Sequence, residues 1–248
     1  MSINKSFFEK ALIKSGLSRL KNKFKKSYSQ TGEDLIIDYI FNVLGINKPT
    51  YLDIGAFDYS KMNNTYLFYQ RGLRGVCIEP DPILFEKFKK RRPADTCLNV
   101  GITADKNSLL DFYIMSSKTL NTFSEEEAKK NESMGYRIEK ITKIETRSIN
   151  SILDQYFTIA PNLISLDVEG LDLEILERLD FNRHRPDVLC VETIDFADGK
   201  EVKNTGIIRL LESEDYLVFA DTHINTIFVN SKKWSEAITR YVDSIRTK

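Results

Sequence analysis

From residue 50 onward, short apolar strands alternate with helices, and no other feature of the chain constrains its fold as tightly. Strands are expected over residues 51–54, 75–78 and 96–102, with helices near 64–70 and over 82–90. The alternation resumes with a strand over 163–167, a helix over 171–179, a strand over 187–191 and a helix around 207–212. Strand–helix–strand units of this kind require a parallel sheet with right-handed crossovers. The last two strands, 216–220 and 226–229, are separated by only a few residues, so they are expected to pair antiparallel. The chain is therefore of the α/β class, and 248 residues with 42% hydrophobic composition suffice for one sizeable core.

Two segments stand outside this alternation. Phe8, Leu12, Ile13, Leu17, Leu20 and Phe24 recur at helical spacing among lysines and arginines, so residues 1–27 are expected to hold a basic amphipathic helix ahead of one domain over 28–248. Its apolar stripe would lie on that domain or on another subunit, which leaves a homo-oligomer open; contact of the basic face with an anionic partner or membrane is the alternative. A second helix is expected to begin at a capping box of Thr31 and Asp34 and to stop at Gly45. Residues 115–146 are polar and weakly periodic and read as an insertion, either a cap over the site or surface decoration.

Composition excludes several classes. Lys+Arg 36 against Asp+Glu 36 gives no net field toward DNA, RNA or an anionic membrane. There is no Asn/Asp-Pro-Pro-Tyr or Pro-Cys motif for nucleic-acid methylation. No apolar run approaches the roughly 20 residues of a membrane span, and the polar start Met1-Ser2-Ile3-Asn4-Lys5 is not expected to act as a signal peptide. A cytoplasmic enzyme with a small-molecule substrate and no integral membrane association is expected. Cys77, Cys97 and Cys190 lie in apolar runs without C-x-x-C spacing and read as core thiols.

The chemistry concentrates at strand ends. Asp53-Ile54-Gly55-Ala56-Phe57-Asp58 closes the first strand, and Val76-Cys77-Ile78-Glu79 is the second. An acid and a glycine at a strand end let backbone approach a nucleoside, and an acid at the next strand tip can take both ribose hydroxyls. Only Gly55 of a G-x-G-x-x-G triplet is present, and no Walker-type Gly-Lys-Ser/Thr occurs. A dinucleotide or triphosphate is thereby disfavoured, leaving an adenosine cofactor without phosphate, of which S-adenosylmethionine is the common one. Ile164-Ser165-Leu166-Asp167-Val168-Glu169-Gly170 and Val188-Leu189-Cys190-Val191-Glu192 are further apolar strands ending in acids. Ligands of open α/β sheets bind outside the carboxyl ends of the strands, so Asp53, Glu79, Asp167, Glu169 and Glu192 are expected along one edge. Helix capping is the alternative for a single acid, Glu169 included.

At these residues the chain resembles the FkbM family of S-adenosylmethionine-dependent methyltransferases, which methylate hydroxyls of sugars and polyketides. The likeness runs from Tyr28 to about Val229. It includes Tyr28-Ser29-Gln30-Thr31-Gly32-Glu33-Asp34, the block from Asn64-Thr65-Tyr66 to Ile78-Glu79-Pro80, Asn121-Thr122-Phe123-Ser124, and Leu166-Asp167-Val168-Glu169-Gly170. Asn63 stands where Ser is expected and Phe57 where Asn or His is. The resemblance implies a Rossmann-like methyltransferase fold: a mostly parallel seven-stranded sheet with an antiparallel C-terminal strand, plus N-terminal helices. It implies cofactor contacts from Gln30, Glu33, Asp53, Gly55, Ala56, Asn64, Thr65, Glu79, Pro80 and Asp167, with Glu79 on the ribose. Helix capping is an equal reading for Glu33.

The expected activity is O-methyl transfer to a sugar or nucleotide-linked sugar, in surface (capsular) polysaccharide or natural-product biosynthesis. In one version Asp167 or Glu169 is the general base; in the other Asp167, Glu192 and His223 hold a divalent metal, Mg or Mn, on the hydroxyl. His223 is expected in the turn of the C-terminal hairpin, and His184 at the surface. The competing readings are an NAD(P)-dependent sugar oxidoreductase, opposed by the missing glycines, and a non-catalytic domain holding the cofactor or a nucleotide sugar, opposed by the intact acids.

Overall fold

The computed structural model describes residues 26–104, 108–197 and 200–246. The amphipathic helix expected near the N-terminus lies outside the described residues.

Helix α1 (Glu33–Leu44) leads into β1 (Tyr51–Ile54), α2 (Tyr66–Gln70), β2 (Gly75–Ile78), α3 (Pro82–Arg91) and β3 (Thr96–Leu98). Next come β4 (Gly101–Thr103), β5 (Ser108–Met115), α4 (Glu125–Ser133), β6 (Ile138–Ser148) and α5 (Ile149–Tyr156). The second half runs β7 (Leu163–Leu166), α6 (Asp172–Arg178), β8 (Val188–Glu192), β9 (Ile194–Ala197), β10 (Lys200–Lys203) and α7 (Thr205–Ser213). It ends in β11 (Tyr216–Asp221), β12 (Asn225–Asn230) and α8 (Ser231–Arg246).

Seven strands form the main sheet in the order β11-β12-β8-β7-β1-β2-β3. All neighbours pair parallel except β12, which runs antiparallel to both β8 and β11. This is a Rossmann-like methyltransferase fold. The final strand inserts between β8 and β11, so the antiparallel strand lies inside the sheet and β11 takes the edge.

Side chains alternate across the sheet as strand geometry requires. Leu52, Ile54, Val76, Ile78, Ile164, Leu166, Leu189 and Val191 pack with α5, α6 and α7 residues such as Ile152, Ile175 and Leu211. Tyr51, Cys77, Leu163, Val188 and Cys190 face the other way, onto Ile37, Ile40 and Phe41 of α1 and onto Phe68 and Phe88. Burying each such aliphatic or aromatic side chain contributes about 1.5–3 kcal/mol, which holds the short strands in place. Cys77 and Cys190 are buried thiols and Cys97 is half-buried; all three are free.

Some local expectations change. Residues 96–102 do not form one strand: the chain breaks at Asn99, whose amide donates to the Glu79 and Pro80 carbonyls, both at 2.9 Å. Beyond that break, β4 joins a second sheet of order β4-β6-β5. Helix α1 has Gly32 as its N-cap at φ 103 with no side-chain cap, so the Thr31–Asp34 box does not form. Asp34 instead gathers the Ser27 hydroxyl at 2.6 Å and the Tyr28 N–H at 2.7 Å. His184 is buried rather than superficial, with Nε2 2.9 Å from Asp154.

Candidate active site

Strand register builds the site. Ile54 pairs with Ile78 on one side and Leu166 on the other, and Leu166 pairs with Val191. The residues that follow, Gly55, Glu79, Asp167 and Glu192, therefore stand on one rung at the carboxyl edge. β1 and β7 are where strand order reverses, the place at which open α/β sheets take ligands. A cleft of about 840 Å³, counted to its open mouth, lies there.

One part of the cleft is mainly apolar. Ile54, Ile78, Pro80, Leu84, Ile102, Phe112 and Phe123 line it, with Glu79 among them. Glu79 accepts from the Phe57 N–H and the Asp81 N–H, each at 2.8 Å. Burial pushes its carboxyl up to about 8 against those two donors, with the charges of Asp81 and Asp53 adding to the rise. Gly55, at φ 76, sits so close to β7 that a Cβ would collide with the Asp167 carbonyl oxygen. Only glycine fits both that backbone and that approach. Phe57 holds φ 51 without being glycine, a strained conformation of the kind that gathers at functional sites.

The other part is acidic. Asp167, Glu169 and Glu192 each bring a carboxylate oxygen within 4.8 Å of the other two. Burial raises the Asp167 carboxyl to about 6, while a hydrogen bond with Glu192 restrains the rise. Glu192 and Glu169 are pushed well above the usual range, by burial first and by Asp167 next. Asp172, which the sequence reading passed over, accepts the Val168 N–H at 3.2 Å and is raised to about 7 by burial and by Asp167. Glu169 caps no helix, since α6 begins after Leu171 without a side-chain cap.

Several residues expected at the cofactor lie beneath or beside the cleft. Asp53 does not line it: its Oδ2 accepts from the Thr65 hydroxyl at 2.6 Å and the Asn63 amide at 3.0 Å. Arg92, fully buried, donates to Asn63, Thr65 and Tyr51, each at 3.0 Å, and pairs with Asp95 at 2.7 Å. Asn64 reaches Ser165 at 3.0 Å, and Ala56 is buried with its N–H on the Ile78 carbonyl. Gln30 and Pro80 do line the cleft.

Glu33 is buried and takes the hydroxyls of Thr31 and Thr222 and the Asn225 amide, which ties the start of α1 to the β11–β12 turn. Burial pushes its carboxyl up, but those hydroxyls and the Thr31 N–H more than offset this and hold it at about 2. His223 is not brought to the acids: it is exposed, absent from the cleft lining, and bonded to Glu201 at 2.8 Å.

The insertion supplies a wall that the sequence reading left undefined. Lys118, Thr119, Asn121 and Phe123 line the cleft, and a Cβ on Gly101 would collide with the Phe123 ring. The only sequence signal for these residues was the run Asn121-Thr122-Phe123-Ser124.

The sheet order and the cleft at its switch point define a methyltransferase of the Rossmann-like class. Residues 53–218 match the model of the methyltransferase FkbM domain, and the chain belongs to that family. No curated relative matches it. Among solved structures it is similar to CalS10, an amino pentose methyltransferase from Micromonospora echinaspora, at 9% identity over 93% of this chain and 99% of that one, with a TM-score of 0.42. An O-methyltransferase from Bacillus cereus is 12% identical over 92% of this chain and 91% of its own, with a TM-score of 0.41. A TehB-like methyltransferase from Corynebacterium glutamicum is 13% identical over 92% of this chain and 100% of its own, with a TM-score of 0.40.

Proposed function

We propose that this methyltransferase uses S-adenosylmethionine to methylate a hydroxyl of a sugar or nucleotide-linked sugar, in surface-polysaccharide or natural-product biosynthesis. The observation that carries the reading is the rung of Gly55, Glu79, Asp167 and Glu192, which sets a nucleoside-sized apolar wall beside a cluster of proton acceptors. When bound, S-adenosylmethionine supplies a methyl carbon on a positively charged sulfur. Ile78, Leu84, Ile102, Phe112 and Phe123 offer an apolar wall for adenine, and Glu79 offers two oxygens to the ribose hydroxyls. Gly55 allows the backbone approach that the methionine end needs.

Asp167 is the proton acceptor. With its carboxyl near 6 it is ionised at neutral pH, whereas burial and the neighbouring Asp167 charge raise Glu169 and Glu192 well above the usual carboxylate range. A base poised near the working pH is the better match for a weakly acidic hydroxyl. Asp167 would take the hydroxyl proton, while the acceptor oxygen would gain the methyl carbon and the carbon–sulfur electron pair would return to sulfur. Alignment of oxygen, carbon and sulfur by the cleft walls contributes much of the rate.

The oxygens of Asp167, Glu169 and Glu192 are also spaced to hold one divalent cation, Mg or Mn, which would polarise the hydroxyl. Glu169 takes the place in that set first given to His223. The test is transfer of isotopically labelled methyl from S-adenosylmethionine to a panel of free and nucleotide-linked sugars, with the product bond assigned by NMR. Label on a sugar oxygen supports the reading; label on nitrogen or carbon contradicts it.

A further inference from the structure

We infer that Thr122 is a positioning residue, which holds the Glu169 carboxylate in the acidic cluster through the Glu169 backbone. Its relevance to catalysis rests on the function proposed above, while its effect on the backbone does not. Glu169 has φ 54 and Gly170 φ 102, two left-handed residues in succession. A non-glycine side chain disfavours that conformation, because its Cβ approaches the following carbonyl oxygen. Something outside the loop has to hold it.

Thr122 does so from the insertion. Its hydroxyl donates to the Glu169 carbonyl at 2.9 Å and accepts the Ser124 N–H at 3.0 Å, so its orientation is fixed from two sides. The residue is 1% exposed. Its own backbone is anchored on β5, where the Tyr113 N–H donates to the Thr122 carbonyl at 2.9 Å and the Thr122 N–H to the Tyr113 carbonyl at 3.2 Å. A second contact falls one residue further along. Ser124 caps α4 by accepting the Glu127 N–H at 3.2 Å, and a Cβ on Gly170 would lie 2.8 Å from the Glu127 side chain. The insertion thus grips the loop at residues 169 and 170, which turns a polar surface segment into the part that aims an acid.

The test compares the wild type with Thr122→Val, which keeps the volume and removes the hydroxyl, and Thr122→Ser, which keeps the hydroxyl. Crystal structures report the Glu169 backbone, calorimetry with S-adenosylhomocysteine reports the cofactor side, and labelled methyl transfer to the sugar panel reports turnover. In Thr122→Val we expect Glu169 to leave the left-handed region, kcat to fall tenfold or more, and affinity for S-adenosylhomocysteine to stay within about threefold. Thr122→Ser should restore both backbone and turnover. Glu169 keeping φ near 54 in Thr122→Val would overturn the inference, as would wild-type kcat in that variant. If the wild type methylates no sugar in the panel, the proposed acceptor class falls, and the backbone of Thr122→Val still decides the role of Thr122.

Discussion

The Thr65 hydroxyl donates to the Asp53 carboxylate at 2.6 Å, and the acid of the first strand is thereby spent beneath the cleft rather than in it. Asp53 shares the face of Tyr51, and the two connect through Asn63, Thr65 and Arg92 to Asp95. The glycine loop above is held from below, since Asn63 also donates to the Ala56 carbonyl at 3.0 Å.

Arg92→Met should therefore act on stability. It strands Asp95, whose side chain has no exposure, as an unpaired buried acid. Breaking such a pair costs about 3–5 kcal/mol. Urea unfolding should show a lowered midpoint and an unfolding free energy reduced by that amount; unchanged values would refute the stabilising role of Arg92.

Glu79 makes cofactor affinity depend on pH. Its carboxyl is raised to about 8 by burial, so at neutral pH it is largely protonated and lacks one of its acceptor sites. Affinity for S-adenosylhomocysteine should rise with pH through a midpoint near 8 and level off only above it. Glu79→Gln should bind about 10–100-fold more weakly, the worth of a hydrogen bond to a charged group, and should lose the step. Calorimetry across pH 6 to 9 checks both, and a step retained in Glu79→Gln would assign it to another group.

Glu33 should stabilise the fold in a pH-dependent way. Its folded carboxyl lies near 2 against an ordinary 4.5, so its contribution is complete above about 4.5 and is lost as pH falls toward 2. Glu33→Gln should cost roughly 2–3 kcal/mol at neutral pH. Denaturant melts at pH 7 and pH 3.5 should show that difference shrinking with acid; a constant difference would remove the linkage.

Asp167→Asn should separate binding from chemistry. General-base removal typically costs about 10²–10⁴ in rate, while the apolar wall and Glu79 are untouched. Turnover should fall by that factor with affinity for S-adenosylhomocysteine nearly intact. Unchanged turnover would exclude Asp167 as the base.

Much of the fold was legible because parallel strands buried on both faces are apolar runs of fixed length, and 163–167 and 187–191 fall within a residue of β7 and β8. Strands exposed on one side were not. In β6 the isoleucines 138, 141 and 144 recur every third residue, which hides a strand's period of two. Helix α8 went unread although Trp234, Ala237, Ile238 and Tyr241 have helical spacing. At the site, the acids at strand ends were legible in type, but facing was not. Asp53 belongs to the opposite sheet face, and His223 sits in a turn whose direction depends on how β12 enters the sheet. Thr122 was visible only as part of a motif, since its partner lies 47 residues away.

The most direct measurement is calorimetric titration with S-adenosylhomocysteine and, separately, NAD, with and without a divalent metal. S-adenosylhomocysteine should bind in about the micromolar range, with no binding of NAD. Binding of NAD alone would contradict the proposed cofactor.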